Sequence, residues 1–442
     1  MIKVSAVVIS MLLLLVAVPS YAAPVDYQDT GGSHQLSVAA DWWSLTASND
    51  PNTRVASGLP TFSDNAYVRT GRNDLQSTGT INAKGLQIGG DSIASNPPTT
   101  QTVVTATGGT IETRGTDGTI MSENLVIGYR YNGKLVVDGA TVKSMLAANP
   151  ALGSVIYLGG QSAVTTGTLD VISGEVQFSR IVAAWKTGSA IINQSGGTMR
   201  QVSSANTNFG RAATNSTAKA TYNLSDGFLN YSAGASEFSV GFGGGRGLFN
   251  QTGGSALFVK SGGSALRIGN LSTGTTLTEG EYRLLGGRTT VIGSIILGTG
   301  GAPLAKGKLV VNQVGQLDVN WLITSASTLD AVEFIVNSAN DFQIVAGGVN
   351  LANPSFRITL DSYTPTPGQT WRVVDVGGSG ISLPLDGHHP LGDRYDFCNE
   401  DGLGWCLYKD TNSDLSLEYL PEPATLTLLG LGGLALLRRK RS

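Results

Sequence analysis

Three groups of side chains have the types and spacing that chemistry needs. Asp410-Thr-Asn412-Ser-Asp414 sets carboxylate and amide oxygens at alternate positions, as a tight loop does around calcium. The sixth position is Leu415 where an EF-hand loop wants glycine, and the twelfth is Pro421 instead of glutamate. The stretch therefore reads as an Asx-rich hairpin turn. His388 and His389 stand near Asp386, Asp393 and Asp396. One His with two Asp is a workable metal donor set. Adjacent histidines rarely face one ion, however, and Pro390 stiffens the turn, so this loop reads as solvated surface. Glu112, Asp170, Glu175 and Asp226 stand singly, whereas polysaccharide cleavage needs a carboxylate pair, or calcium with a basic residue. A Ser-His-Asp arrangement would have to recruit His34 or the 388–389 loop. Gly241 to Gly247 is glycine-rich but lacks the Lys-Ser/Thr ending and the following helix of a phosphate cradle. No catalytic residue, cofactor or metal site is expected, and the chain is not read as an enzyme.

The more specific signal is an address. Pro421-Glu422-Pro423 precedes an uncharged run, Ala424 to Leu437, and then Arg438-Arg439-Lys440-Arg441. As a helix the run covers roughly 21 Å at ~1.5 Å per residue, so it crosses a ~30 Å hydrocarbon core only with thinning or snorkelling. Four cations hold the far end in the cytoplasm by the positive-inside rule. Each proline fixes φ, which makes Pro-Glu-Pro an extended handle on the outer side. These residues resemble the PEP-CTERM family of sorting signals. The resemblance implies a Gram-negative bacterium, an inner-membrane exosortase that processes the tail, and an exopolysaccharide-making host. An ordinary C-terminal membrane anchor is the alternative.

The other end agrees with export. Lys3, the apolar stretch Val4 to Val18, and Ser20-Tyr21-Ala22 form the three regions of a secretory signal peptide cut after Ala22. Residues 1–22 are thus expected to be a signal peptide, 23–84 an N-terminal cap and 85–320 repeats. Residues 321–420 are expected to be a C-terminal β cap, and 421–442 the sorting signal with a membrane segment at 424–437. Removing Lys3, the four tail cations and Glu422 from 29 Lys+Arg and 32 Asp+Glu leaves a mature net charge of about −7. That balance argues against nucleic acid as a partner. Cys398 and Cys406 are the two cysteines, and in an oxidising compartment they are expected to pair and staple a hairpin.

The elements that position these residues read as strands. Charged residues are only 14% of the chain and Gly numbers 59 of 442, a composition that builds strands and turns. One recurrent unit is an apolar strand ending in glycine: at Gly89, Gly128, Gly159, Gly241, Gly269 and Gly298, with a degenerate copy at Gly210. The other is a turn glycine followed by an alternating strand, at Gly109, Gly139, Gly174, Gly197, Gly227, Gly254 and Gly315. Short strands with glycine at the corners are what a β-solenoid needs, since coils bury their apolar rows only by stacking. The expected fold is an all-β, right-handed parallel β-helix of seven to nine coils, with a β-rich C-terminal cap and a short transmembrane helix. A glycine-rich β-sandwich array is the alternative. The repeats resemble those of type V secretion passengers and PEP-CTERM proteins. Trp42-Trp43, Pro60, Asp64 and Val68 resemble the N-terminal cap of autotransporter-like β-helices, and Pro365 to Trp371 their closing segment.

The expected function is that of an exported, non-catalytic surface or matrix protein, structural or adhesive. Its expected partners are an exosortase-type enzyme, the membrane before processing, and exopolysaccharide. A polysaccharide-binding or polysaccharide-cleaving β-helix is the alternative. Tyr129, Tyr131, Tyr222, Tyr231 and Phe249 are sugar-stacking candidates, with packing along a coil face as the competing role.

Overall fold

The computed structural model describes residues 74–420 with short gaps, preceded by 25–27, 35–37, 42–44, 55–56, 59–61 and 65–68. The signal peptide, the sorting tail with Pro421 to Arg441, and the His388–His389 loop lie outside the described residues.

The chain coils into a parallel solenoid with three faces. Face 1 begins at Leu75–Ser77 and Thr102–Ala106, continues through Gly133–Val137 and Thr166–Val171, and ends at Ser355–Leu360. Face 2 begins at Thr80–Ala83 and Thr110–Gly115 and reaches Gln343–Ala346 and Thr370–Val376. Face 3 stacks Asn65–Val68, Gly85–Ile88, Leu125–Ile127, Val155–Leu158 and Arg180–Ala183 in turn. It continues to Ile381–Ser382. Each strand pairs in parallel with its counterpart one coil away, so every face is a ladder along one axis. Eight coils fall between residues 102 and 324, within the expected number.

Alternation decides what fills the tube. On face 1 the inward column runs Leu135, Leu169, Ile192, Tyr222, Phe249, Tyr282 and Leu309, all buried. Tyr222 and Phe249 stack at 4.6 Å, and Phe249 and Tyr282 at 4.7 Å with rings 4° apart. Those separations match the ~4.8 Å spacing of neighbouring strands, so in-register rings meet face to face. The two tyrosine hydroxyls are satisfied inside the core: Tyr222 donates to Gln194 Oε1 at 2.6 Å and Tyr282 to Gln251 Oε1 at 2.8 Å. Burial pushes the Tyr222 hydroxyl up, and does the same to Tyr282.

Glycine holds two of the three corners. All seven glycines expected to end a strand have positive φ, from 65° at Gly298 to 78° at Gly269. A Cβ at Gly241 would lie 2.2 Å from the carbonyl oxygen of Glu279 on the next coil. The second corner uses Gly109, Gly139, Gly174, Gly197, Gly227, Gly254 and Gly287 with positive φ; Gly315 does not share it. One coil breaks the pattern. Arg180–Ala183 runs into Ala184, which takes the corner at φ 58° without being glycine. A left-handed non-glycine residue costs ~1–2 kcal/mol, and glycine's extra backbone entropy returns ~0.5–1 kcal/mol of that. Ala184 is fully buried, so losing its methyl, worth ~0.8 kcal/mol, offsets that gain, and Ala184→Gly is expected to change stability by less than about 0.5 kcal/mol. The check is a urea midpoint close to the parent's at unchanged slope.

The ends differ from the expected boundaries. The parallel ladder already includes residues 75–88, and it continues past residue 320 through Ala331–Val336 and Ser355–Leu360 to Ile381. The cap proper is antiparallel: Arg394–Cys398, Gly404–Lys409 and Leu415–Leu420 pair in order, and the last pairs with Thr370–Val376. Trp371 and Trp405 lie inside it, ring centroids 5.9 Å apart. At the other end Trp42–Ser44 pairs antiparallel with Val25–Tyr27, which in turn pairs in parallel with Asn65–Val68. That hairpin covers the first strand edge, an edge that otherwise invites pairing with another chain.

Cys398 and Cys406, expected to pair, are not bonded to each other in the structure. Cys406 stands opposite Asp396 and Cys398 opposite Gly404. The cysteines are thus diagonal neighbours, ~7–8 Å apart between Cα atoms, whereas a disulfide needs Cβ atoms ~3.5–4.5 Å apart. Cys406 is buried and Cys398 exposed.

Candidate functional site

The carboxylates that the sequence singles out are not brought together. Asp170 lies on face 1 and is paired with Lys134 at 2.5 Å, while Asn193 donates to it at 2.8 Å. Glu112 and Glu175 lie on face 2, two coils apart with the Lys143 coil between them. Glu112 meets Arg114 at 2.6 Å. Glu175 meets Arg200 at 2.6 Å and accepts from Gln177 at 2.8 Å. Burial alone would raise the Glu175 carboxyl, but the hydrogen bonds from Arg200 and Gln177 and the charges of Arg200 and Lys143 hold it below its ordinary value. Asp226 accepts from the backbone N–H of Gly227 at 2.7 Å and serves the turn.

The Asp410 stretch is an Asx turn. Asp410 Oδ1 accepts from the backbone N–H of Asn412 and of Asp414, both at 2.9 Å, and Oδ2 accepts from Ser416 at 3.0 Å. Asp414 points away, accepting from the Val376 N–H at 2.9 Å, and so ties the hairpin to face 2. Among the described residues no three His, Cys, Asp or Glu side chains gather as a metal site does.

The aromatic candidates divide. Tyr222, Tyr231 and Phe249 are buried core residues, so they take the packing role and not the sugar-stacking one. Tyr129 and Tyr131 are half-buried at the corner between faces 3 and 1.

Two features escaped the sequence reading. On face 1, Glu279-Gly280-Glu281 stands one coil below Lys306-Gly307-Lys308 in strict register. Glu279 faces Arg246 at 3.0 Å and Lys306 at 3.9 Å; Glu281 faces Arg283 at 2.9 Å and Lys308 at 3.3 Å. Together they line a cleft of about 310 Å³ floored by Gly247 and Gly280. Lys308 also reaches Glu333 at 2.6 Å. Burial alone would raise the Glu333 carboxyl, but Lys308 and Thr359 hold it below its ordinary value. The signal was in the sequence, since Glu-Gly-Glu and Lys-Gly-Lys recur one coil apart and opposite charges set cross-strand register. The cleft is a charge lattice: each glutamate faces two cations. The apolar walls or second unpaired acid that tune a glycosidase's general acid are not what surrounds them.

The second feature is an aromatic layer outside face 3. Val126, Val155, Tyr157 and Val182 are buried there, with Tyr129 and Trp185 packed against them. Tyr157 and Trp185 meet edge to face at 5.7 Å. The Arg211 guanidinium lies 4.9 Å from the Trp185 ring and 5.9 Å from the Phe242 ring.

No curated protein and no solved structure matches the chain. Residues 420–441 match the model of the PEP-CTERM protein-sorting motif. The chain thus joins a parallel β-solenoid body to a C-terminal PEP-CTERM motif, which implies export and exosortase-directed sorting to the cell surface.

Proposed function

We propose that this chain is a non-catalytic surface or extracellular-matrix protein, structural or adhesive. It is delivered to the outer envelope or matrix of a Gram-negative bacterium after an exosortase-type enzyme processes its tail. The observation that carries the reading is the junction of the sorting motif with a long, regular solenoid whose flank carboxylates are engaged by neighbouring coils. Lysine and arginine beside most flank acids of the solenoid suit a rod that keeps its register, where a hydrolase needs a tuned acid pair. The Asp410 turn and the charge lattice support the same view, since their oxygens already serve the fold.

The test is intact mass and cell fractionation of the native protein beside a Pro421→Ala/Glu422→Ala/Pro423→Ala variant. The expected native mass lacks the segment beyond the Pro-Glu-Pro region, and the variant stays in the inner membrane. An intact native tail, with both proteins fractionating alike, makes the tail a plain anchor and overturns the reading.

A further inference from the structure

The cleft on face 1 holds more positive charge than its own carboxylates answer. Glu279 and Glu281 line it beside their four cationic partners, and Lys219 is the fifth cation in the lining. That is an excess of three positive charges, in a chain whose net charge is −3. With Glu333 counted against Lys308, an excess of two remains. Register gathers this excess at one end of the cleft. Lys219 stands directly opposite Arg246 on the next coil, at the ~4.8 Å spacing of neighbouring strands, and its neighbour on the other side is Ser189. Like charges set opposite each other repel. The rest of the lattice avoids this: Glu279 follows Arg246 and Lys306 follows Glu279, while in the adjoining column Lys308 follows Glu281. Lys219 is exposed, and among the described residues no carboxylate pairs with it. Arg246 reaches Glu279 through Nε and keeps 63% of its side chain exposed. Leu248, half-buried, belongs to the same lining and stands between Thr221 and Glu281.

A repulsive pair at the mouth of a lattice that otherwise alternates its charges calls for an anion from outside. A guanidinium fork takes a planar carboxylate bidentately, and an ammonium beside it adds a point charge. At about 310 Å³ the cleft is at the small end of ligand pockets, which combine apolar lining with a few placed polar groups. Leu248 and the bare backbone of Gly247 and Gly280 supply the apolar part, and the C–H face of a sugar ring suits it. We propose that this cleft binds a carboxylated sugar unit of an acidic polysaccharide, with Lys219 and Arg246 on the carboxylate and Leu248 under the ring. The choice of a glycan rests on the reading of the chain as a surface protein; the preference for an anion rests on the cleft alone.

The test uses the purified full-length protein and measures binding of polygalacturonate, with uncharged dextran as the control. Polygalacturonate is expected to bind saturably, more weakly as salt rises, and dextran is expected not to bind. Lys219→Gln/Arg246→Gln should weaken binding at least tenfold, and Arg246→Lys, which keeps the charge but loses the fork, should fall between. Arg288→Gln, outside the cleft on face 2, should bind as the parent does. Lys219→Glu separates binding from folding, because it sets an acid opposite Arg246. It should raise the urea midpoint slightly while binding falls at least tenfold. A residue that serves only the fold would lower both, so a lowered midpoint overturns the site. Equal binding of dextran, an unaffected Lys219→Gln/Arg246→Gln variant, or no saturable binding of polygalacturonate also overturns it. So does competition by inorganic phosphate as strong as that by galacturonate, which would reduce it to a bare anion site. Any of these failures leaves the sorting reading untouched, because that depends on processing and location in the cell.

Discussion

Gly241→Val should destabilise the protein by about 3–5 kcal/mol. The backbone there has φ 76°, which costs a non-glycine residue ~1–2 kcal/mol. A Cβ would also sit 2.2 Å from the Glu279 carbonyl oxygen and 2.9 Å from the Gly280 Cα, both backbone atoms of the next coil that cannot step aside. Overpacking of that kind adds ~1–3 kcal/mol, and a β-branched residue worsens it. Gly402 gives the contrast. It also has positive φ, at 81°, but nothing lies within 4 Å of its would-be Cβ. Gly402→Val should therefore cost only the conformational part, about 1–2 kcal/mol. Urea melts of the two variants beside the parent check this. Equal losses would mean that backbone strain, not the stacking of coils, fixes the corner glycine.

That comparison also explains what the sequence made legible. The strand-ending glycines stood out because the corner tolerates little else, and all seven lie at positive φ. The coil at 180–184 was missed for the same reason reversed: Ala184 occupies the corner without the glycine that marks it. Parity would have placed the aromatics correctly. Tyr222 alternates with Lys219, Thr221 and Asn223 and shares its side with Ala220 and Leu224, all three buried. An aromatic on the apolar side of an alternating strand belongs to the core. The register of the two cysteines was not legible, because a separation of eight residues does not say whether a hairpin sets two side chains opposite or diagonal. The continuation of the ladder past residue 320 was hidden by a change in repeat texture, with fewer corner glycines and longer turns.

Glu237→Ala is the second large effect, a loss of about 3–5 kcal/mol, the usual consequence of leaving one member of a buried ion pair alone. Glu237 is 7% exposed yet sits on the outward side of face 3. Its Oε2 accepts from Arg267 Nε at 3.1 Å and from the Ser264 hydroxyl, and its Oε1 from Asn270 Nδ2 at 2.8 Å and Ser239 Oγ at 3.0 Å. Arg267 donates in turn to Ser264 Oγ at 3.1 Å, and Asn270 to Ser239 Oγ at 3.0 Å. The network bridges two successive coils, so its members support one another more than separate pairs would. Truncation strands the Arg267 guanidinium, 22% exposed in its side chain, together with three donors, Ser239, Ser264 and Asn270, that lose their acceptor. Glu237→Gln keeps the shape and one acceptor oxygen, and should cost less, about 1.5–3 kcal/mol for the lost charge-assisted bonds. Pairing the alanine variant with Arg267→Ala separates the two contributions: if the ion pair is the main term, the double variant is more stable than the two single losses summed. Strict additivity would instead assign the loss to the serine and asparagine bonds. Glu279 differs from this glutamate in that its partners sit in solvent, with Arg246 63% exposed in its side chain. An exposed pair contributes ~0–1 kcal/mol, so Glu279→Ala in the same assay measures how far the stability of the rod depends on burial of a charge pair and how little on its presence.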